Sequence, residues 1–375
     1  GFFRINRENN QKILESLDYK KHTYHESKKI DLSLPNLMNI KHLLKRDDIY
    51  GHYAWNIIKK TILYSAALVP DVAENFNDID DAMRCGFNWQ KGPFEILDDI
   101  GIKNFLKRLE PTDTIPHFLQ KLDKDESNLF SVKNNKLLYY DMTRGLLPIK
   151  RSEDIISLAD KKKVDPPLYS NESISLWEFK EQSHFICAEF HTKANALDQL
   201  SAEGLMIAHE ICENKFDGII IANDGMQFSA GVNLNVFLEM AVNKKWKEID
   251  FFLNQFQQAC KQLRYANYPV IAATSGLAIG GGYEVVAHAD FVVAHSNSVL
   301  GLVEPLVGLI PAGGGCKEML RRWLNDPQAK NDPNYASLKV FEILGHSLTM
   351  DSPQKSKEYK FLGQDDFMVM SRDRL

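Results

Sequence analysis

No segment restricts this chain's fold as much as residues 269–315, PVIAATSGLAIGGGYEVVAHADFVVAHSNSVLGLVEPLVGLIPAGGG. A β-rich run ends at Ser275-Gly276, the glycines 280–282 follow shortly after, and a helix starts directly behind them. Glu284 sits in that helix, and Glu304 stands twenty residues on, inside the apolar GLVEPLVG. Two carboxylates in apolar, glycine-rich surroundings point to acid/base chemistry beside a backbone that closely approaches a ligand.

The flanking sequence alternates in the same manner. SLWEF and HFICAEF, joined by KEQS, read as a hairpin from Ile174. Helices are predicted over 201–214, 247–265 and 282–288, and strands over 218–222, 270–273 and 291–295. Alternating strands and helices define an α/β domain over 174–375. The first part differs. Residues 52–69 carry apolar positions at helical spacing, a second helix opens on Asp78-Ile79-Asp80-Asp81 and stops at Gly86, and Gly92-Pro93 opens a third. Residues 1–122 are therefore taken as an all-α domain, although 1–40, ending in SLPNL, show no clear fold. A linker with short strands (KLLYYD, GLLPI) is predicted over 123–173, and the run Lys161-Lys162-Lys163 reads as its solvated face. The aromatics Phe87, Trp89 and Phe94 read as packing.

Composition excludes several classes. A net charge of −5 gives no electrostatic case for nucleic acid, and no apolar run approaches the roughly 20 residues of a membrane span. The five cysteines are scattered without CxxC spacing, which predicts a reduced, cytoplasmic protein. His22, His25, His288 and His295 lack a third ligand at usable spacing, so no metal site is expected. The chain opens on Gly-Phe-Phe, without Met or a signal peptide, as expected for a piece of something longer.

Each candidate site residue has a plainer reading. The glycines 280–282 are either a tight turn or the place where unsatisfied first-turn amides meet a developing negative oxygen. GxGxxG fails because Val285 stands third after Gly282, which removes a dinucleotide fingerprint. FSAGVN, 228–233, follows the strand GIII, where small residues make either a surface turn or a backbone N–H site. Glu304 is either on an exposed edge or buried with a raised pKa.

Residues 174 to about 325 resemble the crotonase (enoyl-CoA hydratase/isomerase) superfamily, carried by FSAGVNL (228–234), PVIAATSGLAIGGGYEVVAHAD (269–290) and GLVEPLVGLIPAGGG (301–315). Residues 52–108 resemble the C-terminal helical domain of 3-hydroxyacyl-CoA dehydrogenases through DIDDAMRCGFNWQKGPFEILDDIG (78–101). This order is similar to that of bacterial multifunctional β-oxidation enzymes. The resemblance implies an NAD-binding domain ahead of residue 1 and a helix beyond Leu375. It implies a ββα superhelix for the second part and hydration of 2-enoyl-CoA there.

By the same resemblance, the backbone N–H groups of Val232 and Gly281 form an oxyanion hole. Ala230, Asn233, Leu234 and Gly280 contact substrate, Glu284 activates water, and Glu304 holds that water and protonates the α-carbon. Hydration then needs no cofactor; NAD serves only a full-length dehydrogenase. Partners implied are acyl-CoA, further copies of the chain and a thiolase. Asn233 replaces a frequent Asp, and Tyr283 replaces a small residue or Cys and is expected to narrow the acyl pocket. A non-catalytic acyl-CoA-binding or assembly module and an enoyl-CoA isomerase are the alternative functions.

Overall fold

The structure, a computed structural model, describes residues 3–8, 11–27, 40–87, 89, 91–125, 128–134, 136–150, 155–180 and 184–375. SLPNL and most of the KEQS turn lie outside them. The chain divides into two compact units, residues 1–129 with 141–143, and residues 130–140 with 144–375.

The first unit is not helical throughout. It opens with an antiparallel three-stranded sheet, Phe3–Glu8, Gln11–Asp18 and Thr23–Glu26, in the part for which the sequence showed no clear fold. Helices follow at Ile40–Leu44, Ile49–Ala67, Phe76–Phe87, Pro93–Ile100, Ile102–Lys107 and His117–Lys124. The second of these starts where Asp48 accepts the Gly51 N–H at 2.9 Å. Phe76, Phe94 and Phe118 pack in a fully buried triangle of rings 5.1–5.8 Å apart. Phe87, by contrast, is exposed, because it closes its helix on the outer side.

Asp80 locks two of these helices together. Its carboxylate is buried and accepts the N–H groups of Phe94 (2.8 Å) and Glu95 (3.0 Å), the unsatisfied amides at the start of the helix Pro93–Ile100. Burial raises its pKa to about 7, against the pull of those amides. Gly92 leaves room for the contact: a Cβ there would lie 2.3 Å from Asp80. Gly92→Ala is therefore expected to lower the unfolding free energy by about 1–3 kcal/mol. Denaturant melts check this, and an unchanged midpoint would contradict it.

The second unit is built on a seven-stranded sheet. Its order is Phe367–Val369, Phe291–His295, Val270–Thr274, Gly218–Ile221, Phe185–Phe190, Ile174–Phe179, Tyr169–Ser170. The first five strands run parallel, and the last two pair antiparallel, Ile174–Phe179 forming the expected hairpin with Phe185–Phe190. The helices Gln199–Lys215 and Trp246–Arg264 pack in the same core, through Leu205, Ala208, Phe256 and Leu263.

A second, smaller sheet places the site. After Val270–Thr274 the chain turns at Gly276 and continues as Leu277–Ile279 before the helix Gly281–Ala287. One turn later Phe291–His295 continues as Val299–Gly301. Leu277–Ile279 and Val299–Gly301 are hydrogen-bonded parallel neighbours, with Ala278 opposite Leu300. Ser229 bridges Ala278 from the other side. The segments 228–232, 277–284 and 299–304 are thus successive rungs of one spiral, the ββα superhelix expected for a crotonase-like domain.

The lysine run is exposed at Lys162 and Lys163, as expected, but it is helical and carries specific contacts. Residues 158–164 form the helix Leu158–Val164, capped by Ser157, which accepts the Asp160 N–H. Lys162 pairs with the buried Glu189 and, at 3.0 Å, with Asp224; Lys163 lies 4.3 Å over the Phe130 ring. A buried carboxylate on the sheet needs a cation, and Lys162 supplies it.

Candidate active site

The spiral brings two backbone N–H groups together. Ser229 N–H donates to Leu277 O (2.8 Å), Ile279 N–H to Ser229 O (3.1 Å), and Gly280 N–H to Gly301 O (2.9 Å), so these rungs are fully paired up to the site. Pairing then stops: neither the Val232 nor the Gly281 N–H makes a hydrogen bond among the described residues. The two lie close, because a Cβ on Gly231 would stand 3.4 Å from the Gly281 nitrogen, and one on Gly281 would stand 2.9 Å from Val232 Cγ2. Two adjacent unpaired donors beside a cavity suit an oxygen that gains negative charge.

Glu284 lies in the first turn of the helix that Gly281 begins, and its side chain is buried. Its Oε1 accepts the Gly315 N–H at 2.8 Å, from the glycine turn 313–315. Burial raises its pKa to about 7; Gly315, Gly313 and Gly314 N–H groups oppose that shift, and the charge of Glu304 adds to it. The turn approaches so closely that a Cβ on Gly313 would stand 2.6 Å from Glu284 Oε2 and 2.3 Å from Phe256 Cε1.

Glu304 leads the short helical turn Glu304–Val307 that follows Val299–Gly301. Both carboxylate oxygens are buried and accept no hydrogen bond. Desolvation raises its pKa, offset in part by the backbone of Val303 and of Glu304 itself, which falls short of hydrogen-bond geometry. Its Oε1 would lie 3.4 Å from a Cβ on Gly280, so it faces the same glycine strand end that carries Gly281. An unpartnered buried carboxylate retains its proton more readily than one surrounded by N–H groups. Burial thus raises the pKa of both carboxyl groups.

A cavity of about 440 Å³ adjoins Val232 and Asn233, with Leu197, Phe237 and Phe252 in its wall and Lys245 and Lys247 at its edge. Asn233 caps the helix Leu234–Val242, accepting the Asn235 N–H at 3.2 Å. Leu234 is exposed at the start of that helix, and Ala230 donates to Ala194 O at 3.2 Å.

Tyr283 does not narrow this cavity. Its side chain is fully buried on another side of the helix and donates to Phe361 O at 2.9 Å, while Arg322 donates to its hydroxyl at 3.1 Å. Consecutive helix positions point about 100° apart, so a neighbour of Glu284 cannot share its direction. Sequence reasoning missed two contributors: Phe256 and the Gly313–Gly315 donors. Only the glycine cluster carried a visible signal.

Residues 185–331 match the family model described as Enoyl-CoA hydratase/isomerase. Along most of its length the chain is similar to the "Probable 3-hydroxyacyl-CoA dehydrogenase" of Bacillus subtilis, 34% identical over 90% of this chain and 42% of that protein. It is 29% identical to a protein named as a fatty acid oxidation complex trifunctional enzyme in Rickettsia felis, over 96% of this chain and 46% of that protein. A shorter match, 34% identical over 27% of this chain and 38% of the relative, is to 2,3-dehydroadipyl-CoA hydratase of Escherichia coli. The chain spans less than half the length of the two long relatives. Its C-terminal part is an enoyl-CoA hydratase/isomerase domain of the crotonase superfamily.

Proposed function

We propose that this chain adds water across the double bond of 2-enoyl-CoA thioesters, giving 3-hydroxyacyl-CoA in fatty-acid β-oxidation. The observation that carries the reading is the pair of buried carboxylates at the ends of neighbouring parallel strands, beside two unpaired backbone N–H groups. The thioester oxygen accepts from Val232 and Gly281 N–H, which draws electrons from the β-carbon. Glu284 takes a proton from water as its oxygen bonds to the β-carbon, and the π electrons move through the α-carbon to the thioester oxygen. Glu304 then gives its proton to the α-carbon as the carbonyl re-forms. The pair starts and ends with one proton. Each donor to the oxyanion is worth about 2.7–4 kcal/mol of barrier. The acyl chain is proposed to lie in the cavity lined by Val232 and Asn233, with Ala230, Leu234 and Gly280 proposed to contact the substrate beside it.

Hydration moves only a proton and a hydroxide equivalent, so it consumes no redox cofactor. The names of the long relatives suggest a second step for a longer protein, oxidation of the new alcohol with NAD. The residues of the first unit do not fit that cofactor: its described sheet is antiparallel and offers no strand, glycine turn and helix to cradle a dinucleotide. Among the described residues no helix is long and apolar enough to cross a membrane.

The test is kcat/KM for crotonyl-CoA hydration by the purified chain, without NAD, against pH. Burial raises both carboxyl groups, Glu284 to about 7. Coupled carboxylates titrate as a unit, and the proton the pair shares is the one delivered to the α-carbon. The rate should therefore fall about tenfold per pH unit once pH has risen past 7. Binding of acyl-CoA without turnover at any pH would favour the non-catalytic reading.

A further inference from the structure

His288 lies at the end of the helix that carries Glu284, fully buried, and the hydration chemistry gives it no part. Its Nδ1 is 2.6 Å from the Glu284 carbonyl oxygen, which can only accept, so Nδ1 bears the hydrogen. Its Nε2 then accepts from Lys317 Nζ at 3.3 Å, with Glu318 Oε1 3.9 Å away. Glu318 is itself buried and held by Arg321 at 2.9 Å and Lys317 at 3.1 Å. On its other edge the ring supports the glycine turn: a Cβ on Gly314 would stand 2.8 Å from His288 Cε1. The imidazole therefore touches both halves of the Glu284 site, the helix that supplies the carboxylate and the turn whose Gly315 N–H binds it.

We propose that His288 is a positioning residue, a wedge that fixes the glycine turn 313–315 against the helix Gly281–Ala287 so that Gly315 N–H meets the Glu284 carboxylate. The inference rests on the hydratase reading. The groups facing the ring are Lys317 and Glu318 from the helix Gly315–Leu324, Arg264 from the helix Trp246–Arg264, and the Glu284 carbonyl. Burial lowers the His288 pKa, which keeps the ring neutral with one donor and one acceptor. Facing Glu284 are Glu304, the thiols of Cys260 and Cys316, and the three glycine N–H groups. When the Gly315 bond loosens, the Glu284 carboxylate loses its one close donor. Its affinity for the proton rises, and the inflection near 7 moves to higher pH.

The test compares His288→Asn with His288→Gln. The Asn amide reaches the Nδ1 position and can still donate to the Glu284 carbonyl; the Gln amide reaches Nε2 and cannot. His288→Gln should lose on the order of 10- to 100-fold in kcat with KM within about twofold, and its pH inflection should rise. His288→Asn should keep most of kcat and the wild-type inflection. His288→Leu should behave as the Gln variant does if it folds; if it does not, the Asn and Gln pair decides. Equal behaviour of Asn and Gln, both active or both impaired, would overturn the positioning role. A wild-type chain that hydrates nothing would sink the hydratase reading itself, so the two failures are distinct.

Discussion

Glu284→Gln and Glu304→Gln each lower the turnover of crotonyl-CoA hydration by about 10²–10⁴-fold, with substrate binding little changed. The amide introduced by Glu284→Gln can still accept the Gly315 N–H that reaches Oε1 at 2.8 Å, so the fold tolerates the change. What that amide cannot do is take a proton from water. Glu304→Gln replaces a carboxylic acid that has no hydrogen-bond partner among the described residues with a group that has no proton to give. The two variants differ in one further respect. Glu304→Gln takes away the ionisable neighbour that is one cause of the raised Glu284 pKa, so the remaining carboxyl group titrates lower than the wild-type pair. The double variant should cost little more than either single one, because the groups act as a unit. Steady-state kinetics of the three proteins, with melting curves to show that they fold, check this. Near-normal turnover by either single variant would refute the two-carboxylate mechanism.

Gly313→Ala is the second large effect. The new methyl would stand 2.3 Å from Phe256 Cε1 and 2.6 Å from Glu284 Oε2, and it would have to displace one of them. The ring of Phe256 is fully buried and stacked on Phe252, so it yields little. Glu284 shifts instead, and a displacement on the order of 1 Å costs about 100-fold in rate. Overpacking removes about 1–3 kcal/mol of stability as well. Adding Phe256→Leu, which deletes the nearest ring atom, should restore part of the stability and little of the rate. Measuring both quantities on the single and double variants separates packing from alignment. If rate and stability recover together, the turn acts only through packing.

Much of the second unit was legible in the sequence, for identifiable reasons. Gly218–Ile221, Val270–Thr274 and Phe291–His295 are short β-branched runs bounded by turn residues, and buried parallel strands have that composition. Glu284 and Glu304 stood out because isolated acids in apolar runs are costly unless they have work to do. The helix Leu234–Val242, LNVFLEMAV, escaped notice because it is apolar on almost every side, so no polar face marks a helical period. The small sheet escaped because Leu277–Ile279 and Val299–Gly301 are only three residues long. The direction of Tyr283 and the contacts of Lys162 depend on what lies across the fold, which sequence spacing does not encode. His288 belongs to the same class: nothing around AHAD shows that its ring meets a glycine turn 26 residues later.

The most direct test of hydration is the product formed from crotonyl-CoA in D2O, without NAD, read by proton NMR. The expected product is 3-hydroxybutyryl-CoA with one deuterium on the α-carbon, delivered through the exchangeable proton of the Glu284–Glu304 pair. Unchanged crotonyl-CoA, or a shifted double bond with no oxygen added at the β-carbon, would contradict it.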